Sequence, residues 1–342
     1  MTAADLLGAV TLIAVIFYAL LGGADFGGGI WDLFAAGSRA KEQRALIERA
    51  IGPIWEANHV WLILAIVVLF TGFPRAFAAV SIALFIPLVV LLIGIVLRGA
   101  AFTFRLYDGR DPVQKAWGVV FSMSSVLAPL ALGTVVGAIA SGRLRFEGSV
   151  PTGGFMAWLA PFPIAIGVYA AALFAYIAAV YLAVEAEGPL QDDFRVRGIA
   201  AGAAVFIAAV IALALASFDA PLIFAALTGR GWSLPFHAAT GVAAIVAFYA
   251  LWTRRARLAR AAAVIQTALI ITGWGLAQYP YLIVPDLTLA NSSAPALTQE
   301  LLLWALGAGA LLLFPCLYLL FRVFKGERPF AILDRAPRRD VR

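Results

Sequence analysis

The chain has 342 residues, of which 63% are hydrophobic and only 13% charged, and its mean hydropathy of +0.95 excludes an ordinary water-soluble enzyme. A single cysteine, Cys316, excludes a disulfide framework, and two histidines, His59 and His237, are too few for a histidine-rich metal centre or several self-contained bis-histidine haems. The formal charge of +6 is read from where Lys and Arg fall, not as a sign of nucleic acid.

A membrane helix needs roughly 20 apolar residues. Intervals largely free of Asp, Glu, Lys and Arg predict nine spans, at 6–24, 53–73, 76–97, 116–140, 156–184, 198–218, 233–253, 261–283 and 300–321. The second reaches spanning length only by taking Glu56 inside it, and Pro161 and Pro163 fall early in the fifth, where a missing backbone donor costs least. The fold class is therefore all-α and polytopic: one membrane domain over 1–325 and a tail, 326–342, with Pro329 and Pro337 among arginines. With this layout 21 of the 25 basic residues fall on one side, and only Arg75, Arg143, Arg145 and Arg230 on the other. The positive-inside rule then places the N-terminus outside and the tail in the cytoplasm, where it can lie against anionic lipid. The flank before the first span offers Asp5 and no basic residue, so that span is expected to remain as a helix and not to be cleaved as a signal peptide.

Polar residues within or beside the spans are the candidates for chemistry, because hydrocarbon tolerates them only when they are paired, hydrated or useful. Gly22-Gly23-Ala24-Asp25-Phe26-Gly27-Gly28-Gly29 predicts a broken or tightened helix end with Asp25 at its cytoplasmic side, either as an interfacial acid or as part of a proton or water path. In Gly52-Pro53-Ile54-Trp55-Glu56-Ala57-Asn58-His59-Val60-Trp61, Glu56 and His59 stand three residues apart, so one helical face can hold both while Trp55 and Trp61 anchor or pack. Three readings stay open for that pair: proton handling, a packing network that includes Asn58, or ligation of a metal or haem by His59. Arg98 and Arg105 either snorkel or pair with Glu56, Asp25 or a partner chain. Asp108 and Asp111 read as solvated, Asp219 as the start of a short segment, His237 as interfacial, and Gln266 and Thr267 as helix bridges. No phosphate-binding loop, dinucleotide fingerprint or paired-residue zinc motif is present.

Ala24-Asp25-Phe26-Gly27 with Gly29, the run Ala50 to Leu62, Phe73-Pro74 and Arg98-Gly99-Ala100-Ala101-Phe102-Thr103-Phe104-Arg105 resemble subunit II of the cytochrome bd quinol oxidases, including the cyanide-insensitive branch. The motifs lie in the first third of the chain, and the nine-span layout matches over the rest. The resemblance implies two four-helix bundles plus a peripheral helix, in a bacterial cytoplasmic-membrane complex that oxidises ubiquinol or menaquinol and reduces oxygen to water. It implies a partner subunit I carrying two haems b and one haem d, sometimes a small single-helix accessory subunit, and no haem held by this chain. Some relatives also hold a structural quinone or lipid in a groove of subunit II. On this reading Glu56 stands where the family has a proton-path Asp, Asp25 matches the second acid of its acidic run, and Gly22 replaces the first. His59 replaces a Glu or Gln and would tune Glu56. Two alternatives remain: a purely structural subunit, or a secondary transporter using Asp25 and Glu56 as a coupling-ion site, for which no matching broken helix is found in the second half.

Overall fold

The computed structural model describes residues 1–52, 55–107, 111–147, 150–152 and 156–325. The tail 326–342, Pro53, Asp108 and the expected Gly153-Gly154 connection lie outside them. Helix α1 (Ala3–Leu33) leads into a short α2 (Ala40–Ile51), and α3 (Trp55–Asn58) with α4 (Val60–Gly72) forms the second span. Then follow α5 (Pro74–Ala83), α6 (Phe85–Tyr107), α7 (Asp111–Ser141), α8 (Pro161–Glu185) and α9 (Gly188–Asp219). The chain continues through α10 (Pro221–Gly229), α11 (Ser233–Trp252), α12 (Ala256–Gln278), α13 (Leu289–Ser292) and α14 (Ala296–Lys325). Among the described residues nine helices are long and apolar enough to cross a membrane.

The helix starts follow local chemistry. Thr2 and Asp5 close a capping box on α1, with Asp5 accepting from the Thr2 N–H at 2.8 Å and the Thr2 hydroxyl accepting from the Asp5 N–H at 3.2 Å. α8, α9 and α10 each carry proline in the first turn, where the missing donor has no intrahelical partner to lose.

Several boundaries depart from the charge-free intervals, because charges paired inside the protein do not end a helix. Residues 76–97 are not one span. α5 stops at Ala83, and the third crossing starts at Phe85 and carries Arg98 and Arg105 within it. α9 likewise starts ten residues before 198, and its added charges find partners: Arg195 pairs with Asp192 at 3.0 Å, and Asp193 with Arg39, the N-cap residue of α2, at 2.5 Å.

The glycine run does not break α1. It forms the face on which the helix is crowded by its neighbours, and α1 packs on α4, α7, α8 and α12. A Cβ on Gly27 would stand 1.9 Å from the Phe174 carbonyl oxygen of α8, and one on Gly29 2.0 Å from the Ser125 hydroxyl of α7. Only glycine permits backbones to meet so closely. Asp25 is therefore buried inside a continuous helix and not placed at its end.

α6 packs on α7, α7 on α8, and α8 on both α9 and α12, while α11 packs on α12 and α9. α14 stands apart: none of its membrane window is buried, and it meets the rest mainly through α1 and α4. At the end of the bundle that carries few arginines, antiparallel pairs β1 (Phe146–Glu147) with β2 (Val150–Pro151) and β3 (Tyr281–Ile283) with β4 (Leu287–Thr288) close the connections. Asp286 joins them, accepting from Arg145 at 2.9 Å and from the Phe146 N–H at 2.8 Å. Asp219, expected only to begin a segment, pairs with Arg143 and accepts from the Phe162 N–H at 3.2 Å.

Candidate functional site

Asp25 is 4% exposed and Asn58, at the end of α3, is 2% exposed. The Asn58 amide donates to the Asp25 carboxylate at 2.8 Å, tying the middle of α1 to the broken start of the second span. Arg98 comes from the other side. Its guanidinium is buried between the rings of Phe26 and Phe121, 5.0 and 5.3 Å from their centroids, and its charge interacts with that of Asp25. The aromatic faces attract the cation. Its Nε and one terminal nitrogen nonetheless have no hydrogen-bond partner among the described residues, although buried donors are almost always satisfied. An acid, an amide and a guanidinium thus converge in the interior, where charge is tolerated only through such pairing.

Glu56 and His59 do not come together. α3 ends after Asn58, and the His59 N–H closes a tight turn onto the Glu56 carbonyl at 3.2 Å. From this turn the Glu56 side chain is exposed, whereas the half-buried His59 ring reaches inward, with Nδ1 3.5 Å from the Tyr18 hydroxyl. Tyr18, Phe26 and Trp55 surround that ring at centroid separations of 5.7, 5.9 and 6.2 Å. The expectation that His59 tunes Glu56 is corrected accordingly: its neighbour is Tyr18. Trp55 packs on Phe102 and lies against Gly99, while Trp61 stacks on Phe17 at 4.3 Å, so both tryptophans serve packing. Among the described residues no three His, Cys, Asp or Glu side chains gather around a common point, and His237 is engaged with the Ser233 carbonyl at 2.6 Å.

Arg105 pairs with Asp32 at 3.1 Å, and with neither Asp25 nor Glu56 among the described contacts. Asp32, 4% exposed, also accepts from the Ser122 hydroxyl at 3.0 Å and lies 3.9 Å from Arg44. Sequence reasoning missed Asp32 because the first span was ended at residue 24, which left this acid in a solvated loop. Its spacing from Asp25, seven residues or two helical turns, was the available signal.

A cavity of about 760 Å³ runs from Asp25 and Asn58 towards the arginine-rich end of the bundle, where Arg49, Arg257, Arg260 and Glu185 line it. The same architecture occurs in a solved bd oxidase from Geobacillus thermodenitrificans, which matches with a TM-score of 0.80 at 22% identity, covering 96% of this chain and 100% of that one. The family described as cytochrome bd terminal oxidase subunit II matches residues 4–324. The chain belongs to that family.

Among curated relatives, cytochrome bd ubiquinol oxidase subunit 2 of Bacillus subtilis is 36% identical over 126 residues, covering 36% of this chain and 37% of the relative. Cytochrome bd-I ubiquinol oxidase subunit 2 of Escherichia coli is 27% identical over 211 residues, 59% of this chain and 53% of the relative. The matched stretches thus span about half or less of these relatives. As a bd oxidase subunit II with many apolar helices, the chain is a multi-pass protein of the bacterial cytoplasmic membrane. A second cavity in this subunit II, of about 360 Å³, is apolar and lies between α1, α4, α7, α8 and α12. Trp274 and Gln278 line it, and among the described residues the buried Trp274 Nε1 and Gln278 Oε1 atoms have no partner.

Proposed function

We propose that this chain is the non-haem subunit of a quinol:oxygen oxidoreductase, that it stabilises a haem-bearing subunit I, and that it supplies part of a proton-uptake path. Family membership supports the oxidase role. The observation that carries the proton role is the placement of Asp25: a buried carboxylate at the wall of a cavity that leads to the arginine-rich end, held by Asn58 and facing the charge of Arg98. Reduction of oxygen at a buried centre consumes protons, and a low-dielectric bundle delivers them only through hydrated or titratable stepping stones. Asp25 is the inner station on this reading. Glu56, exposed on the chain alone, joins the path only where subunit I covers it, so its place is at the subunit junction. Tyr18 and His59 keep the adjoining wall packed.

In the orientation that goes with this function the N-terminus faces outside and the arginine-rich end faces the cytoplasm, so that protons arrive from within. On this reading the two four-helix groups are α1/α4/α6/α7 and α8/α9/α11/α12, joined through the packing of α8 on α1 and α7, with α14 peripheral. The oxidase would take ubiquinol or menaquinol and oxygen as substrates. The apolar cavity suits a structural quinone or lipid tail, since the Trp274 N–H, without a partner among the described residues, is placed to donate to a quinone carbonyl oxygen.

The deciding experiment is purification of the tagged chain from its native membrane in mild detergent, with a reduced-minus-oxidised haem spectrum and quinol-dependent oxygen uptake on one sample. A co-purifying haem subunit with b- and d-type bands and activity is expected. A stable, haem-free chain without a partner would overturn the reading. With assembly equalised, Asp25→Asn should lose most of the oxygen uptake, and full retention would reduce the chain to a structural role.

A further inference from the structure

The arginine-rich mouth of the larger cavity is electrostatically incomplete. Arg49 from α2 and Arg257 and Arg260 from the first turns of α12 line it, against the carboxylates of Asp25 and Glu185. Arg254, next door, is bound to Asp192 at 3.4 Å, but no ion pair is formed by Arg49, Arg257 or Arg260 among the described residues. All three are exposed in the chain.

The N-terminus of α12 compounds the imbalance. The aligned peptide dipoles put partial positive charge there, which an acidic residue or a capping side chain ordinarily offsets. α12 has neither: its N-cap is Arg255 without a side-chain hydrogen bond, and its first turn holds no acid. Guanidinium groups and a helix N-terminus of the same sign therefore meet at one cavity mouth, an arrangement that favours an external anion. Beyond the arginines the wall turns apolar, with Leu21, Leu182, Val264 and, from the loosely packed α14, Phe321 and Phe324. A small inorganic anion would use the first feature and leave the second unexplained.

We propose that Arg49, Arg257 and Arg260 bind the phosphate of an anionic phospholipid from the leaflet on the arginine-rich side, with its acyl chains lying along Val264, Phe321 and Phe324 between α12 and α14. The lipid neutralises the ring of guanidiniums, which uncompensated would repel protons approaching the cavity. It also fills the space beside a helix that is otherwise held mainly by α1 and α4.

The test uses the intact complex, purified in mild detergent, washed to remove loose lipid, and analysed by native mass spectrometry and phosphorus NMR. Its lipid readout does not depend on oxygen uptake, so it stands or falls separately from the proton role. The wild type should keep phosphatidylglycerol or cardiolipin in preference to phosphatidylethanolamine. Each Arg→Gln change at Arg49, Arg257 or Arg260 should weaken retention about fivefold, while the triple Arg→Lys variant keeps it, which separates loss of charge from loss of fold. Undiminished retention in the triple Gln variant would overturn the proposal. So would a wild type that shows no preference for anionic lipid, a result that decides the matter even if the Gln variant fails to assemble. Tight uptake of inorganic phosphate by the lipid-stripped complex, with no preference for phosphatidylglycerol, would equally rule out the lipid.

Discussion

Asp25 owes its position to two groups of different kinds. The Asn58 amide supplies a neutral hydrogen bond at 2.8 Å, and Arg98 supplies a charge held between aromatic faces. Removing the amide leaves a buried carboxylate short of a donor, a cost of about 1–3 kcal/mol. Asn58→Ala is accordingly expected to lower the thermal midpoint of the purified complex, while Asn58→Asp, which sets two acids side by side, should lower it further. Arg98→Met removes one member of a buried charge pair and should cost about 3–5 kcal/mol, seen as loss of assembled chain in the membrane. The double variant Asp25→Asn/Arg98→Met should regain much of that loss, and a double variant no better than Arg98→Met would show that the two charges do not stabilise one another. Asp25, Asn58 and Arg98 were legible in the sequence as polar residues in apolar surroundings. Pairing of Arg98 with Asp25 stood among the open readings, but the bond from Asn58 to Asp25 was not readable, because it depends on which way a broken helix turns its side chains at residues 55–59, and that is a tertiary outcome.

For the elements, the helices were largely readable from apolar length, and their limits were not. A charge-free interval marks where lipid meets the helix, but Arg98, Arg105 and Arg197 lie inside helices because aromatic rings or polar partners receive them. The same applies to glycine, which reads as a helix breaker until the neighbouring helix is known. Gly27 and Gly241 separate the two meanings. A methyl group at Gly27 meets the α8 backbone, whereas at Gly241 nothing stands within 4 Å. Gly27→Ala should force α1 from α8 at about 1–3 kcal/mol or more and deplete the folded chain. Gly241→Ala, in the exposed α11, should be neutral or stabilising by up to about 1 kcal/mol. Protease resistance of the two variants in the same membranes checks both directions. The ion pair at the opposite end of the bundle gives a pH test. Burial pushes the Asp286 carboxyl upward, but the hydrogen bond and charge of Arg145 and the Phe146 N–H outweigh it and hold it below the ordinary carboxylate range. A carboxylate lowered by folding stabilises fully above its unfolded value of about 3.9 and loses that contribution as pH falls through the lower folded value. Acidification below about pH 4 should therefore open the β1–β4 connections to protease in the wild type. In Asp286→Asn they should be equally open at neutral pH, and a variant as protected as the wild type would refute the fastening role.

At the scale of the whole molecule, the charge distribution and the cavity point in the same direction. The sequence puts 21 of 25 basic residues on one side of nine spans, and the cavity that reaches Asp25 is lined by arginines belonging to that side. If the positive-inside rule governs this chain, the cavity faces the cytoplasm and the Asp286 fastening faces outward. A reporter active only in the cytoplasm, fused after Arg342, should then be active, and the same reporter inserted between Ser292 and Ala296, in the connection after α13, should be silent. The reverse pattern would place the arginines outside and turn the cavity away from the cytoplasmic proton supply, removing the basis for uptake through Asp25 even if the oxidase assembles normally. Orientation is thus the property on which the local chemistry depends. A buried acid and its donors can look the same from either side of a membrane, and only the direction in which their cavity opens makes them a route for protons consumed by the complex.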